Sequence, residues 1–162
     1  MRTELSTEFS SGGDTGIAAP QTPAEAQALA QRVARAMFER DRASQALGMR
    51  IERVSPGFAQ LSMTIRGDMV NGHAICHGGL VFTLADSAFA FACNSHNVNT
   101  VAAGCSIEFL APGREGDVLT ATAHERAQGR RAGVYDIEVC NQNGDTVALF
   151  RGKSMRIKGQ VV

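Results

Sequence analysis

The chain has 162 residues, 44% hydrophobic and 20% charged, and its 16 basic and 16 acidic side chains cancel to a formal net charge of zero. A chain of this size buries roughly 70% of its extended surface as one domain, its composition excludes wholesale disorder, and its charge balance leaves no long-range field to collect nucleic acid or an anionic membrane. Cys76, Cys93, Cys105 and Cys140 form no CxxC pair, the start of the chain has no signal-length apolar stretch, and the near-apolar run 80–93 is interrupted by Asp86, so a soluble cytoplasmic protein with reduced thiols is expected.

Residues 1–21 are rich in Ser, Thr and Gly with little apolar periodicity. No burial there offsets the entropy of ordering the chain, and a disordered N-terminal tail is expected. A single folded domain is expected over 22–162. It opens with a helix start: Thr22 as N-cap, Pro23 in the first turn, and Glu25 three residues after the cap in capping-box register. Ala26, Leu29, Ala30, Val33 and Met37 follow at helical spacing and predict an amphipathic helix ending around Arg42.

From Leu47 the period becomes two. Met49 and Ile51, then Leu61, Met63 and Ile65, alternate with polar neighbours on either side of Pro56-Gly57, which predicts two strands joined by a turn. After a loop over 71–76, the segment 77–94 is Ala- and Phe-rich and apolar almost all round, the pattern of a buried helix. Four further strands are predicted over 100–110, 117–126, 132–141 and 146–157. Ala111-Pro112-Gly113 and Gln128-Gly129 punctuate the first two boundaries, and Asn143-Gly144 signals a tight hairpin turn at the third. A sheet that covers a wholly apolar helix has to curl around it, so the predicted class is α+β, a curled antiparallel sheet around a long central helix.

Between Asp68 and Glu108 the sole Asp, Glu, Lys or Arg is Asp86, in the middle of that helix. An ionised carboxylate there costs several kcal/mol unless something compensates it. Either it hydrogen-bonds a loop amide or a hydroxyl such as Ser87 or Thr83, or it is a base or nucleophile tuned by burial. Eight residues earlier, His77-Gly78-Gly79 opens the helix. The two glycines either permit a sharp turn or close packing, or leave backbone N–H groups uncovered at the positive end of the helix dipole, where they would form an oxyanion hole.

Geometry links the two features. Gly78 and Asp86 on one helix stand about 12 Å apart at 1.5 Å per residue, whereas a nucleophile and the donor polarising the same carbonyl both lie within roughly 3 Å of the reacting group. One helix cannot supply both to one site. If the residues cooperate, Gly78 of one subunit faces Asp86 of the partner subunit, in a dimer with two equivalent sites.

His73, Cys76 and His77 offer a metal-ligand alternative. The surrounding glycines and the missing HExxH glutamate weigh against it, and no metal is expected. His96 and His124 show no partner pattern. There is no GxSxG, Walker, Rossmann or EF-hand motif. A carboxylate with backbone donors suits hydrolysis of an activated acyl group. A thiol, with a pKa of about 8.5 by analogy with cysteine, leaves without a strong general acid, so a thioester fits this equipment.

The run Asn71-Gly72-His73-Ala74-Ile75-Cys76-His77-Gly78-Gly79, then Leu84-Ala85-Asp86, Ala92-Cys93-Asn94-Ser95 and Ile107-Glu108-Phe109-Leu110-Ala111-Pro112-Gly113, resembles the hotdog-fold acyl-CoA thioesterases, closely the branch serving phenylacetic acid degradation. The likeness extends over 29–158, through Gly133-Val134-Tyr135-Asp136-Ile137 and Ala148-Leu149-Phe150-Arg151-Gly152-Lys153-Ser154. It implies a sheet wrapped around a central helix, a homodimer with one continuous sheet and shared active sites, and pairing of dimers into a tetramer.

It further implies that the Gly78 N–H polarises the thioester carbonyl while Asp86 of the partner subunit attacks it or activates water. Asn71 falls at a position that holds the water or the reaction site, and His77 orients the loop. A Ser or Thr helper on the strand after the helix has no assigned counterpart, since 101–104 are Val, Ala, Ala and Gly. Arg114, Arg130, Arg131, Arg151 and Lys153 are candidate contacts for the CoA phosphates. CoA is part of the substrate, and no further cofactor is expected. The implied substrates are aryl-acetyl-CoA thioesters of the phenylacetyl or hydroxyphenylacetyl type, which Phe82, Phe89 and Phe91 permit. The alternatives are a hotdog hydratase or dehydratase using His77 with Asp86, and a non-catalytic acyl-CoA-binding module.

Overall fold

A computed structural model of the chain describes residues 20–162. The expected tail over 1–21 lies outside the described residues except for Pro20 and Gln21.

Helix α1 (Pro23–Arg40) starts at the expected capping box: the Thr22 hydroxyl accepts from Glu25 N–H at 3.2 Å and the Glu25 carboxylate accepts from Thr22 N–H at 3.0 Å. Its apolar stripe buries Leu29, Ala30, Val33 and Ala34. The helix stops two residues before the expected end because the Asp41 side chain accepts from Ser44 N–H and caps a new short helix, α2 (Arg42–Ala46). Strands β1 (Arg50–Ser55) and β2 (Phe58–Thr64) follow, turning at Gly57, whose φ of +70° favours glycine. Next come helix α3 (Gly78–Asn94) and strands β3 (Thr100–Phe109), β4 (Val118–Gln128), β5 (Ala132–Cys140) and β6 (Thr146–Arg156). The turn before β6 is wider than a two-residue hairpin: Asn141 Oδ1 accepts from both Asn143 N–H and Asp145 N–H while Gly144 takes the left-handed conformation.

The six strands form one antiparallel sheet in the order β1-β2-β4-β5-β6-β3. Its concave face presents Ala59, Leu61 and Met63 of β2, Leu119, Ala121 and Ala123 of β4, Tyr135, Ile137 and Val139 of β5 and Phe150 of β6, all buried in one core with α3. The period-two pattern thus places apolar side chains around the helix and polar ones outside. The fold is α+β with the sheet wrapped around α3.

Burial of α3 is less complete than its composition suggests. Val81, Leu84, Ala85, Ala88, Phe89, Phe91 and Ala92 are buried, but Gly79 is exposed and Phe82, Thr83, Asp86, Ser87 and Ala90 are half-buried. Of these, Gly79, Thr83, Asp86 and Ala90 recur at helical spacing and form the less buried stripe of the helix, whereas the Phe82 ring packs on the core against Phe150 at 5.3 Å between centroids. Strand β3 is at the sheet edge, with β6 its one neighbour and most of its residues exposed. Among the described residues no helix is long and apolar enough to cross a membrane.

Candidate active site

The loop before α3 is closely held. Asn71 N–H donates to Ile75 O at 2.8 Å, Ala74 N–H to Asn71 O at 2.9 Å, Cys76 N–H to Gly113 O at 2.8 Å and His77 N–H to Met69 O at 2.9 Å. These bonds join the start of α3 to the short 3-10 turn Gly67–Met69 and to the β3–β4 loop. His77 is the N-cap. Its Nδ1 accepts from Gly79 N–H at 3.0 Å, which in a neutral ring puts the proton on Nε2. His77, expected to orient the loop, is thus seen as a cap that takes the second glycine's N–H.

The first glycine's N–H is left over. No acceptor among the described residues reaches Gly78 N–H, which stands at the positive end of a 17-residue helix. Gly78 lines a cleft of about 440 Å³ with Asn71, Val81, Phe109 and Pro112. Asn71 Oδ1 accepts from His73 N–H at 2.9 Å, whereas its side-chain N–H₂ has no acceptor among the described residues. The structure thus brings Gly78 and Asn71 together, two donors on one cleft.

Asp86 does not join them. It lies two turns along the same continuous helix, about 12 Å away at 1.5 Å per residue. Both hydroxyls that sequence reasoning offered it are engaged elsewhere: Thr83 donates to Gly79 O at 2.7 Å, and Ser87 Oγ is 3.2 Å from Ser44 Oγ. The Asp86 carboxylate has no hydrogen-bond or ion-pair partner among the described residues, and burial pushes its pKa above the usual carboxylate range. A half-buried, unpartnered carboxylate suits a base or nucleophile better than a structural residue.

Three of the four thiols are poorly suited to nucleophilic attack. Burial raises Cys76 and Cys140 and pushes Cys93 up to about 12, so these side chains stay protonated at neutral pH. His73, Cys76 and His77 are not gathered into a ligand set: the Cys76 thiol is directed at His77 O, and no group of three or more His, Cys, Asp and Glu placed to hold a metal ion is found among the described residues.

The basic candidates separate. Arg114 follows the cleft-lining Gly113. Arg130 and Arg131 are exposed in the β4–β5 turn, and Lys153 on β6 is paired with Val134 of β5, toward the end of the sheet where Thr100 pairs with Arg156 and away from Gly78. Arg151 is engaged by Asp136 through two bonds of 2.7 and 3.0 Å, and with Arg126 it holds that carboxyl below its ordinary range. His96, without a partner in the sequence pattern, stands 2.8 Å from Glu125. Sequence spacing gave no role to the cleft residues Val81, Phe109 and Val147; the far wall was marked by the turn punctuation at Ala111-Pro112-Gly113 and by the run 107–113 that carries the resemblance.

Comparison with known proteins places the chain in a family. The Thioesterase superfamily matches residues 73–148. The chain is 56% identical to the acyl-coenzyme A thioesterase PaaI of Escherichia coli strain K12 over 128 residues, covering 79% of this chain and 91% of the relative. The solved E. coli PaaI structure, from the phenylacetic acid degradation operon, superposes with a TM-score of 0.82 at 54% identity, covering 83% of this chain and 97% of that one. A mutant of the phenylacetic acid degradation protein PaaI from Thermus thermophilus superposes with a TM-score of 0.70 at 36% identity, covering 72% of this chain and all of the other. Identity of this degree over most of both chains, with the same fold, shows that the chain belongs to the hotdog thioesterase superfamily and is a thioester hydrolase.

Proposed function

We propose that the protein hydrolyses aryl-acetyl-CoA thioesters, of the phenylacetyl or hydroxyphenylacetyl type, to the free acid and CoA in aromatic catabolism in the cytoplasm. The acyl class rests on the likeness to PaaI proteins of phenylacetic acid degradation. The chemistry rests on a single observation: an unclaimed N–H at Gly78 and an unpartnered carboxylate at Asp86 that one protomer cannot bring to the same carbonyl.

The site is then completed between two subunits. The Gly78 N–H donates to the thioester oxygen and stabilises the negative charge that develops there. Asp86 of the partner subunit attacks the carbonyl carbon or removes a proton from the attacking water. The C–S bond breaks, and CoA leaves as thiolate and takes up a proton; where water attacks directly it supplies the acid's new oxygen, and where Asp86 attacks, water then hydrolyses the acyl–Asp86 anhydride to release the acid and regenerate the carboxylate. The Asn71 side-chain N–H₂ helps hold the water or the reacting carbonyl.

The exposed edge strand β3 supports the pairing, since an unpaired edge is a template for a second copy of itself. Antiparallel β3–β3 pairing would bring the Arg130, Arg131 and Lys153 end of one sheet beside the Gly78 end of the other, placing those cations, with Arg114, where CoA phosphates emerge. Two such dimers form the proposed tetramer. CoA enters as substrate, and the proposal includes no separate cofactor.

The test is CoA release across short, long and aromatic acyl-CoAs, with a thiol blank for the four cysteines. The expected result is the highest kcat/KM on aryl-acetyl thioesters. Turnover without free thiol would instead indicate a hydratase, and binding with no CoA release on any substrate would indicate a binding module.

A further inference from the structure

Phe109 is the last residue of β3, opposite Ala148 of β6. It is 54% exposed in the protomer. Its ring tip rests on Gly78: a β-carbon at position 78 would stand 3.1 Å from Phe109 Cζ and 3.3 Å from Cε1. Both residues line the same cleft. Leu110 N–H and Ala111 N–H both donate to Val147 O, at 2.9 and 3.2 Å, and fix the backbone just beyond the ring.

A backbone N–H directed into open water is a weak catalyst, because water competes for the donor and screens the charge it stabilises. An apolar ring against the Gly78 Cα removes water from one side of that donor and lowers the local dielectric. It also limits the directions from which a carbonyl oxygen can approach. The contact further explains the residue at 78, since any β-carbon there has to displace the ring or the first turn of α3.

Building on the thioesterase reading, we propose that Phe109 is a positioning residue for the oxyanion donor, and that Gly78 and Phe109 act as one sterically matched pair. The ring shields and orients the Gly78 N–H; it takes no proton and forms no bond.

The test is a double-mutant cycle on kcat and KM with Gly78→Ala, Phe109→Ala and the double variant, and with Phe109→Leu as an apolar control. Loss of a whole oxyanion donor costs roughly 10²–10³-fold in kcat. Loss of the shield is expected to cost about tenfold, with KM changed less than about threefold and Phe109→Leu falling between wild type and Phe109→Ala. Gly78→Ala is expected to lower kcat in the wild-type background and to do so less in the Phe109→Ala background, so that the double variant is more active than the product of the single effects. Strictly multiplicative losses, full activity of Gly78→Ala, or a Phe109→Ala effect confined to KM would overturn the proposal. The melting temperature and assembly size of Phe109→Ala, read alongside, are expected to match wild type. A wild-type protein that releases no CoA at all would refute the hydrolase reading itself, an outcome separate from a normal wild type with an unaffected Phe109→Ala variant.

Discussion

Two inactive proteins should restore activity to each other. Asp86→Asn removes the carboxylate and leaves the Gly78 N–H in place. Gly78→Pro does the reverse, and the backbone accepts it: position 78 is the first helical residue, where proline is tolerated. His77 before it has φ −61° and ψ 126°, an extended conformation allowed ahead of proline. The Phe109 ring has to yield by a few tenths of an ångström. Each homo-oligomer should lose about 100-fold or more in kcat, equivalent to about 2.7 kcal/mol of transition-state stabilisation.

When equal amounts of the two chains are co-expressed and assemble at random, a site that draws Gly78 from one chain and Asp86 from its partner is whole in about a quarter of cases. CoA release per chain should therefore recover to about a quarter of wild type, well above the roughly 1% floor of either parent. The arithmetic is the same for a dimer and for a tetramer of dimers. If both residues served one site within a protomer, no hybrid site would be whole, and activity held at the parental floor would refute the helix-geometry argument.

Asp86→Asn should also raise stability while it abolishes turnover. Burial places the folded-state pKa of Asp86 above its unfolded value, so the folded chain binds that proton more tightly and stability falls as pH rises through the interval between the two values. At pH 7 the ionised carboxylate destabilises the fold; the variant should melt higher than wild type there, and the difference should disappear below about pH 4. Equal melting at pH 7 would rule out burial as the cause. In the wild type, the acid limb of kcat/KM should report an apparent pKa above the usual carboxylate range. Gly152→Ala tests the core: its β-carbon would stand 2.9 Å from three ring carbons of the buried Phe89, so a loss of about 1–3 kcal/mol is expected in thermal or urea unfolding, and unchanged stability would show that the ring moves freely.

Local signals carried most of the elements. The capping box at Thr22, the period of two around Gly57 and the apolar run of α3 each depend on side chains a few residues apart, and the observed elements start and stop within about two residues of expectation. The break at Asp41 was missed because a polar residue at a helix end reads equally as a last turn or as a new cap until Ser44 N–H is seen to bond it. The pairing of His96 with Glu125 joins residues on α3's exit and β4, which no short window contains.

For the site, the sequence by itself determined the chemistry on offer: one carboxylate in an otherwise uncharged stretch, a His-Gly-Gly helix start, and a separation too great for one subunit. Those follow from residue identity and helix rise alone. The tertiary structure decided which of those groups are free. Only with the chain folded does His77 claim the Gly79 N–H and leave that of Gly78, do Thr83 and Ser87 turn to other partners and leave Asp86 without one, and does Phe109 arrive over Gly78. It also decided that β3 crosses the helix to become the unpaired edge beyond β6. Availability depends on distances between segments far apart in the chain, and hydrophobic periodicity encodes which face is buried, not which neighbour buries it.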